Sequence, residues 1–290
     1  MITIVTPTGD RPLAFALCQH WMMNQTVKPD QWIVVDDGKT PMRPFVPMEY
    51  MRRGSQGHGV VRPASHSSRM LTTSDRTAKI KAIRARQQRI PSAGWVSIYS
   101  NLRTATSLIR GDKILFIEDD EYYAPDYIEK MAALMDKHDL VGIKHSRYYH
   151  LPSGGYKLFT SQAHASLAQT AFRGSFLPIF QEFLGAGRCA EFLDVRLWTQ
   201  HQSMRESTIN KLKTNCRGFL FFDDTPLYVG MKGMPGRQGY GVGHKLHAYA
   251  YHDGPDRRVL RNWAGKDAEI YLDILSGKLT GENYESYLSS

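Results

Sequence analysis

Short aliphatic and β-branched runs alternate with amphipathic stretches through the first half of the chain. Residues 2–6, ITIVT, read as a buried strand that stops at the turn signal Pro7-Thr8-Gly9. Residues 12–25 follow with Leu13, Ala16, Leu17, His20, Trp21 and Asn24 at three- and four-residue spacing, which predicts a helix. Residues 32–35 form a second apolar run and end abruptly at Asp36-Asp37-Gly38. Strand, helix and strand within so few residues predict a βαβ unit, hence parallel pairing. Parallel strands covered on both faces read as continuous apolar runs, as these do.

The rhythm then breaks. Residues 40–75 are rich in Pro, Gly, Ser and Arg without periodicity and are expected to form a long loop or insertion; residues 75–89 suit a basic helix. Regular patterning returns with a helix over 97–110, a strand over 113–117, a helix over 125–138 and a strand over 140–144. Beyond 150 the pattern supports a Gly-rich turn at 153–155, a helix near 191–212 and strands near 218–230. A Gly-rich loop at 233–243 and a terminal helix over 256–276 complete it. No internal repeat appears. The expectation is one α/β domain with a mixed, mainly parallel sheet flanked by helices. Its donor half would span about 1–145, with a basic insertion at about 40–95. The acceptor half would span about 146–255, and a helical end about 256–290.

Composition changes little: 42% hydrophobic and 22% charged residues in 290 suit a globular chain. The start, MITIVTPTGDRP, lacks the basic-then-apolar order of a signal peptide, and no apolar run reaches spanning length. Cys18, Cys189 and Cys216 lie at no metal-binding spacing. A cytoplasmic, membrane-free setting is therefore expected.

Charge changes more. Between Tyr50 and Trp95 stand ten basic residues, Arg52, Arg53, Arg62, Arg69, Arg76, Lys79, Lys81, Arg84, Arg86 and Arg89, against the single acid Asp75. That surplus equals the net +9 of the whole chain. A block of this kind marks a surface for a polyanion, unless it merely solubilises a loop.

Candidate chemistry gathers at strand ends. The run Lys113-Ile114-Leu115-Phe116-Ile117 meets Glu118-Asp119-Asp120-Glu121. Ligands of open α/β sheets bind beyond the carboxyl ends of strands. Clustered carboxylates there repel one another unless a cation neutralises them, and hard oxygen ligands suit Mg²⁺ or Mn²⁺. The bland reading, acids capping the next helix, stands beside it.

Three segments resemble the GT-A glycosyltransferases, in particular the family 2 inverting enzymes: Ile4-Val5-Thr6-Pro7-Thr8, Asn24-Gln25-Thr26 and Ile33-Val34-Val35-Asp36-Asp37-Gly38. A fourth runs from Ser100-Asn101-Leu102 through Gly111 to Ile114-Leu115-Phe116-Ile117-Glu118-Asp119-Asp120. The resemblance covers roughly the first 130 residues, interrupted by the basic insertion. It implies a Rossmann-like, nucleotide-sugar-binding GT-A fold and a nucleotide-sugar donor, with UDP-sugar in first place. It sets Thr6 and Thr8 beside the nucleotide base and Asp37 as an acceptor of its hydrogen bond. Glu118-Asp119-Asp120 occupies the place of the family's Asp-x-Asp signature, with Asp120 on the metal and Glu118 near the ribose or a metal-bound water. Asp36 and Asp119 take structural roles. The chain departs from the family in carrying Glu at the first position of that signature. It also carries Thr8 where many members have an aromatic residue.

Inverting transfer needs a carboxylate to take the acceptor hydroxyl's proton. By the resemblance this base opens a helix in the second half, where Glu191-Phe192-Leu193-Asp194 is the nearest match. Asp194 is the first candidate and Glu191 the second. In the loop Met234–His244, Arg237 suits a diphosphate and His244 a metal, with His247 and His252 as rivals. The Arg-rich block suits phosphate contacts, so the candidate acceptor is DNA carrying a hydroxymethylated pyrimidine. That would make the chain similar to the small DNA-modifying transferases of bacteriophages. Three rivals stand: a transferase for soluble or cell-surface saccharides, a nucleic-acid-binding protein with a vestigial site, and a nucleotidyltransferase. The last would carry a Gly-rich phosphate loop with Lys, which Thr6-Pro7-Thr8-Gly9-Asp10-Arg11 does not match.

Overall fold

A computed structural model describes residues 1–53, 96–185, 193–200, 218–236 and 249–288. Strand β1 (Ile2–Thr8) leads into helix α1 (Pro12–Met23), whose proline at the first turn gives up no hydrogen bond, and returns in β2 (Gln31–Asp36). β3 (Glu49–Arg52), α2 (Val96–Thr106), β4 (Lys113–Phe116), β5 (Tyr122–Tyr123), α3 (Tyr127–Met135) and β6 (Leu140–Ile143) follow. The chain then forms the hairpin β7 (His145–His150) and β8 (Gly155–Thr160), then β9 (Thr170–Arg173) and α4 (Leu177–Gly185). The last described elements are α5 (Leu193–Gln200), β10 (Gly218–Phe221), β11 (Tyr228–Lys232), β12 (Tyr251–His252), α6 (Arg258–Ala264), α7 (Ala268–Leu275) and α8 (Tyr284–Leu288).

A seven-stranded sheet in the order β10-β6-β9-β4-β1-β2-β3 forms the frame. The β1–β2, β1–β4, β2–β3 and β6–β10 pairs are parallel, whereas β9 runs antiparallel to both β4 and β6. This is the expected mixed, mainly parallel α/β sheet flanked by helices. Its strands alternate between two cores: Ile4 and Val34 face one cluster with α1, α3 and the C-terminal helices, while Val5, Ile33 and Val35 face α2, α4 and α5. Burial on both faces is the reason for the unbroken apolar runs, and each fully buried aliphatic side chain contributes about 1.5–3 kcal/mol.

Three expectations change. The stretch expected as loop from residue 40 contains β3, which pairs in parallel with β2 and lays Met48 and Tyr50 into the core. The helix expected over 97–110 stops at Thr106, where Thr106 and Ser107 hydroxyls donate to the carbonyls of Arg103 and Thr104 and compete with the helical ladder. The single terminal helix is two, broken at Gly265, whose φ of +59° suits glycine.

A second sheet was not legible in advance. Its order is β12-β8-β7-β11-β5, and β5 ties it to the end of β4 through the acidic run. Among the described residues no helix is long and apolar enough to cross a membrane.

Candidate active site

The carboxyl ends of β1, β2 and β4 meet through side chains. Asp36, the last residue of β2, is fully buried and accepts hydrogen bonds from the Gly38 amide at 2.8 Å, the Met42 amide at 3.1 Å and the Tyr50 hydroxyl. It shapes the turn and binds β3 to β2. Asp37 leaves the strand, its amide donating to the Thr8 carbonyl at 3.1 Å. Its carboxylate is held by the Arg53 guanidinium at 2.9 Å and by the Ser97 hydroxyl. Arg53 also donates to Asn101 Oδ1 at 2.8 Å, so α2 takes part in fixing it.

Thr8 joins this corner to the acidic run. Its hydroxyl donates to Asp119 Oδ2 at 2.6 Å, while Arg11 Nη1 reaches Asp119 Oδ1 at 2.7 Å and Asp120 Oδ2 at 2.9 Å. Thr6 contributes nothing exposed: it is wholly buried, and its hydroxyl accepts the Trp32 indole N–H at 3.0 Å.

Glu118, Asp120 and Glu121 each bring a carboxylate oxygen to within 4.8 Å of the others. Lys232, from β11 in the second sheet, pairs with Glu121 Oε1. The other oxygen of Glu121 is buried and without a hydrogen-bond partner among the described residues. Burial pushes the carboxyls up, to about 7 for Glu118 and about 8 for Glu121, with Asp120 adding to both and Lys232 opposing. For Asp119, burial raises the value to about 6 against the pull of Arg11. Burial works to lower the two cations, yet the surrounding acids outweigh it and raise both Arg11 and Lys232.

Four acids facing two cations leave two negative charges when all are ionised. One divalent ion matches that residue of charge, and the orphan Glu121 oxygen gives it a donor with no other partner. Carboxylates alone, with no thiolate or imidazole among them, suit Mg²⁺ or Mn²⁺. The described residues therefore fit a hard divalent cation held by Glu118, Asp120 and Glu121.

Asp194 stands in the first turn of α5, its Oδ1 accepting the Val195 amide at 2.9 Å. Trp198 anchors that helix. Its ring packs where any Cβ on Gly142 or Gly218 would sit, at 2.6 and 2.9 Å, and its indole N–H donates to Thr170 Oγ1 at 3.0 Å. Burial raises the phenol of Tyr148 in β7 to about 12, with Lys232 opposing and Glu121 and Glu118 adding. Lys232, near the Tyr148 ring and paired with Glu121, thus ties the acidic run to the second sheet.

The remaining candidates fare differently. Arg52 and Arg53, expected on a nucleic-acid surface, are turned inward: Arg52 Nη2 donates to the Gly38 and Lys39 carbonyls at 2.8 and 3.0 Å, and Arg53 holds Asp37. The parallel register of β3 beside β2 sets Arg52 opposite Asp36, next to the β2 turn. His252 is exposed on β12, at the opposite sheet edge from β5. Arg62, Arg69, Arg76, Lys79, Lys81, Arg84, Arg86 and Arg89 lie outside the described residues, as do Glu191, Arg237, His244 and His247.

Sequence reasoning assigned no role to Arg11, Glu121 or Lys232. Arg11 and Glu121 were within reach, three residues beyond β1 and at the end of the acidic run. Lys232 carried no local signal, since 111 residues separate it from Glu121.

Residues 94–193 match the model of glycosyl transferase family 2. The matched stretch includes α2, β4 and the acidic run; β1 and β2 lie outside it. No curated protein matches. Similar solved structures include S. aureus TarS 1-349 in complex with UDP-GlcNAc, at 14% identity and a TM-score of 0.45, covering 97% of this chain and 72% of that one. They also include S. aureus TarS, at 11% identity and 0.40, covering 79% of this chain and 36% of that one. A mycobacterial protein follows at 16% and 0.29, covering 52% and 41%. The chain thus spans little more than a third of the longer TarS chain.

Proposed function

We propose that this chain transfers a sugar from a nucleotide-sugar donor, a UDP-sugar in first place, to a hydroxyl acceptor with the help of a divalent cation. The observation that carries the reading is the meeting of three strand ends at Glu118, Asp120 and Glu121, with Arg11 and Lys232 leaving two charges for one ion. That ion, Mg²⁺ or Mn²⁺, would neutralise the diphosphate as it leaves. Asp37, steadied by Arg53 and Ser97, faces the nucleoside end, and Thr8 with Arg11 fixes the acidic run relative to it. Asp194 takes the proton of the acceptor hydroxyl as that oxygen bonds to the anomeric carbon. The carbon's bond to the phosphate oxygen breaks with its electron pair, and the nucleoside diphosphate departs. Inversion at the anomeric carbon follows from attack opposite the leaving group.

For the acceptor the guide is charge. The surplus of nine positive charges between residues 50 and 95 favours a polyanion, and we take this to be DNA bearing a hydroxymethylated pyrimidine. Arg52 and Arg53 play no part in gripping it, being committed to the donor corner.

The test is mass spectrometry of hydroxymethylated DNA and of a saccharide panel, each incubated with nucleotide sugars and Mn²⁺. Wild-type protein should add one hexose-sized mass to the DNA, and chelation or Asp120→Ala should abolish this. Transfer or donor hydrolysis indifferent to both would remove the site assignment. Glycosylated saccharide with unmodified DNA would keep the transferase and discard the acceptor.

A further inference from the structure

On the face of the second sheet that looks toward the acidic run lies a strip of aromatic side chains that the donor site does not use. Tyr148 of β7 and Phe159 of β8 are nearly parallel, with 12° between planes and 6.1 Å between centroids. The pairing of Tyr148 with Lys157 and of Ser146 with Phe159 sets these four residues on one face of the hairpin. Lys157 Nζ stands 5.5 Å from the Phe159 ring centre, and Lys232 Nζ 5.6 Å from that of Tyr148. Gly230 lies beneath Tyr148: a Cβ there would meet the Tyr148 ring at 2.5 Å, so the absent side chain lets the ring lie flat on the sheet.

Position gives the strip its meaning. Lys232 joins Tyr148 to Glu121. Tyr148 therefore sits beside the acids that would hold the leaving diphosphate. An acceptor ring resting on Tyr148 and extending over Phe159 would lie next to that site. Phe159, 36% exposed, keeps its ring in water next to an exposed lysine. A flat, solvent-facing aromatic beside a cation is the chemistry that stacks a nucleobase and holds its phosphate.

We propose that Tyr148, Phe159 and Lys157 form the acceptor subsite, where an unpaired pyrimidine base of a nucleic acid stacks on the two rings and Lys157 meets its phosphate. This rests on the transferase reading for its purpose, but binding can be measured without transfer. The charge of the chain favours a nucleic acid over a neutral sugar ring, which leaves the sugar as an outcome of the test.

The experiment is fluorescence anisotropy at about 150 mM salt. A labelled single-stranded oligodeoxynucleotide is compared with the same strand carrying abasic sites. Phe159→Ala should weaken binding of the intact strand by roughly 5- to 150-fold, the range lost with one stacked base, and leave binding of the abasic strand unchanged. Phe159→Trp should restore the wild-type value. Because Phe159 lies at the surface, an unaltered melting temperature serves as the folding control. Equal binding by wild type and Phe159→Ala, or no binding by wild type, overturns the proposal. Loss on Phe159→Ala of affinity for oligosaccharides, with the oligonucleotide indifferent, overturns it too. Stacking as described with no sugar transfer by wild type would leave the subsite standing and sink the transferase reading instead.

Discussion

Lys232 is 8% exposed in its side chain and its carboxylate partner Glu121 is 1% exposed, so neither charge has water to fall back on. Removing one member of such a pair leaves the other buried and uncompensated, a loss of about 3–5 kcal/mol. Lys232→Met should therefore lower the urea midpoint steeply, and Lys232→Met with Glu121→Gln should recover most of the loss. Mn²⁺ should restore part of the stability of the single variant, because a cation can take the ammonium's place, and should do little for the double. Equal stability of single and double variants would show that the pair is not the counterion system described. The sequence spelled out the acids because they adjoin in the chain. It was silent on Lys232 because a buried cation is recognisable only by what the fold brings to it.

At the level of elements, the legible parts were those whose burial is uniform. β1, β2, β4 and β6 are covered on both faces and announce themselves as apolar runs. β3 was hidden by its surroundings, although Val46, Met48 and Tyr50 alternate toward the core at 7%, 6% and 3% exposure. β8 escaped for another reason: Lys157, Leu158, Phe159 and Thr160 are exposed on both sides of the strand, so no alternation of polar and apolar marks it. The helix carrying Asp194 is set by Trp198 in the space left by Gly142 and Gly218. Trp198→Ala should cost about 3–5 kcal/mol in chemical denaturation. Of the two kinetic effects, kcat should fall several-fold while donor affinity changes less, since α5 carries the proposed base and not the acidic run. An unaltered kcat in a folded Trp198→Ala protein would separate Asp194 from the proton transfer.

Over the whole molecule, the site is assembled from distant parts of the chain. Arg11, Asp120 and Lys232 come from three regions of the sequence, and the 258–288 segment supports the acidic run through Tyr122. Tyr122, next to Glu121, donates to Asp267 at 3.0 Å and to the Ala264 carbonyl at 3.3 Å, and its ring meets Trp21 edge-on at 5.2 Å. Tyr271 completes that group, 5.9 Å from Trp21. Deleting residues 258–288 should uncover these rings and abolish cooperative thermal melting, even though every acid of the site is retained. A truncated protein that melts as sharply as the full chain would show the segment to be dispensable.

The Tyr122–Asp267 bond also orders events in time. During synthesis β1, β2 and β4 leave the ribosome early, with the whole acidic run already attached. Yet Lys232 emerges more than a hundred residues later, and Asp267 later still. Until then, among the described residues, the four crowded carboxylates have Arg11 alone to temper them, so a half-made chain should carry an acidic run that is loose and proton-laden.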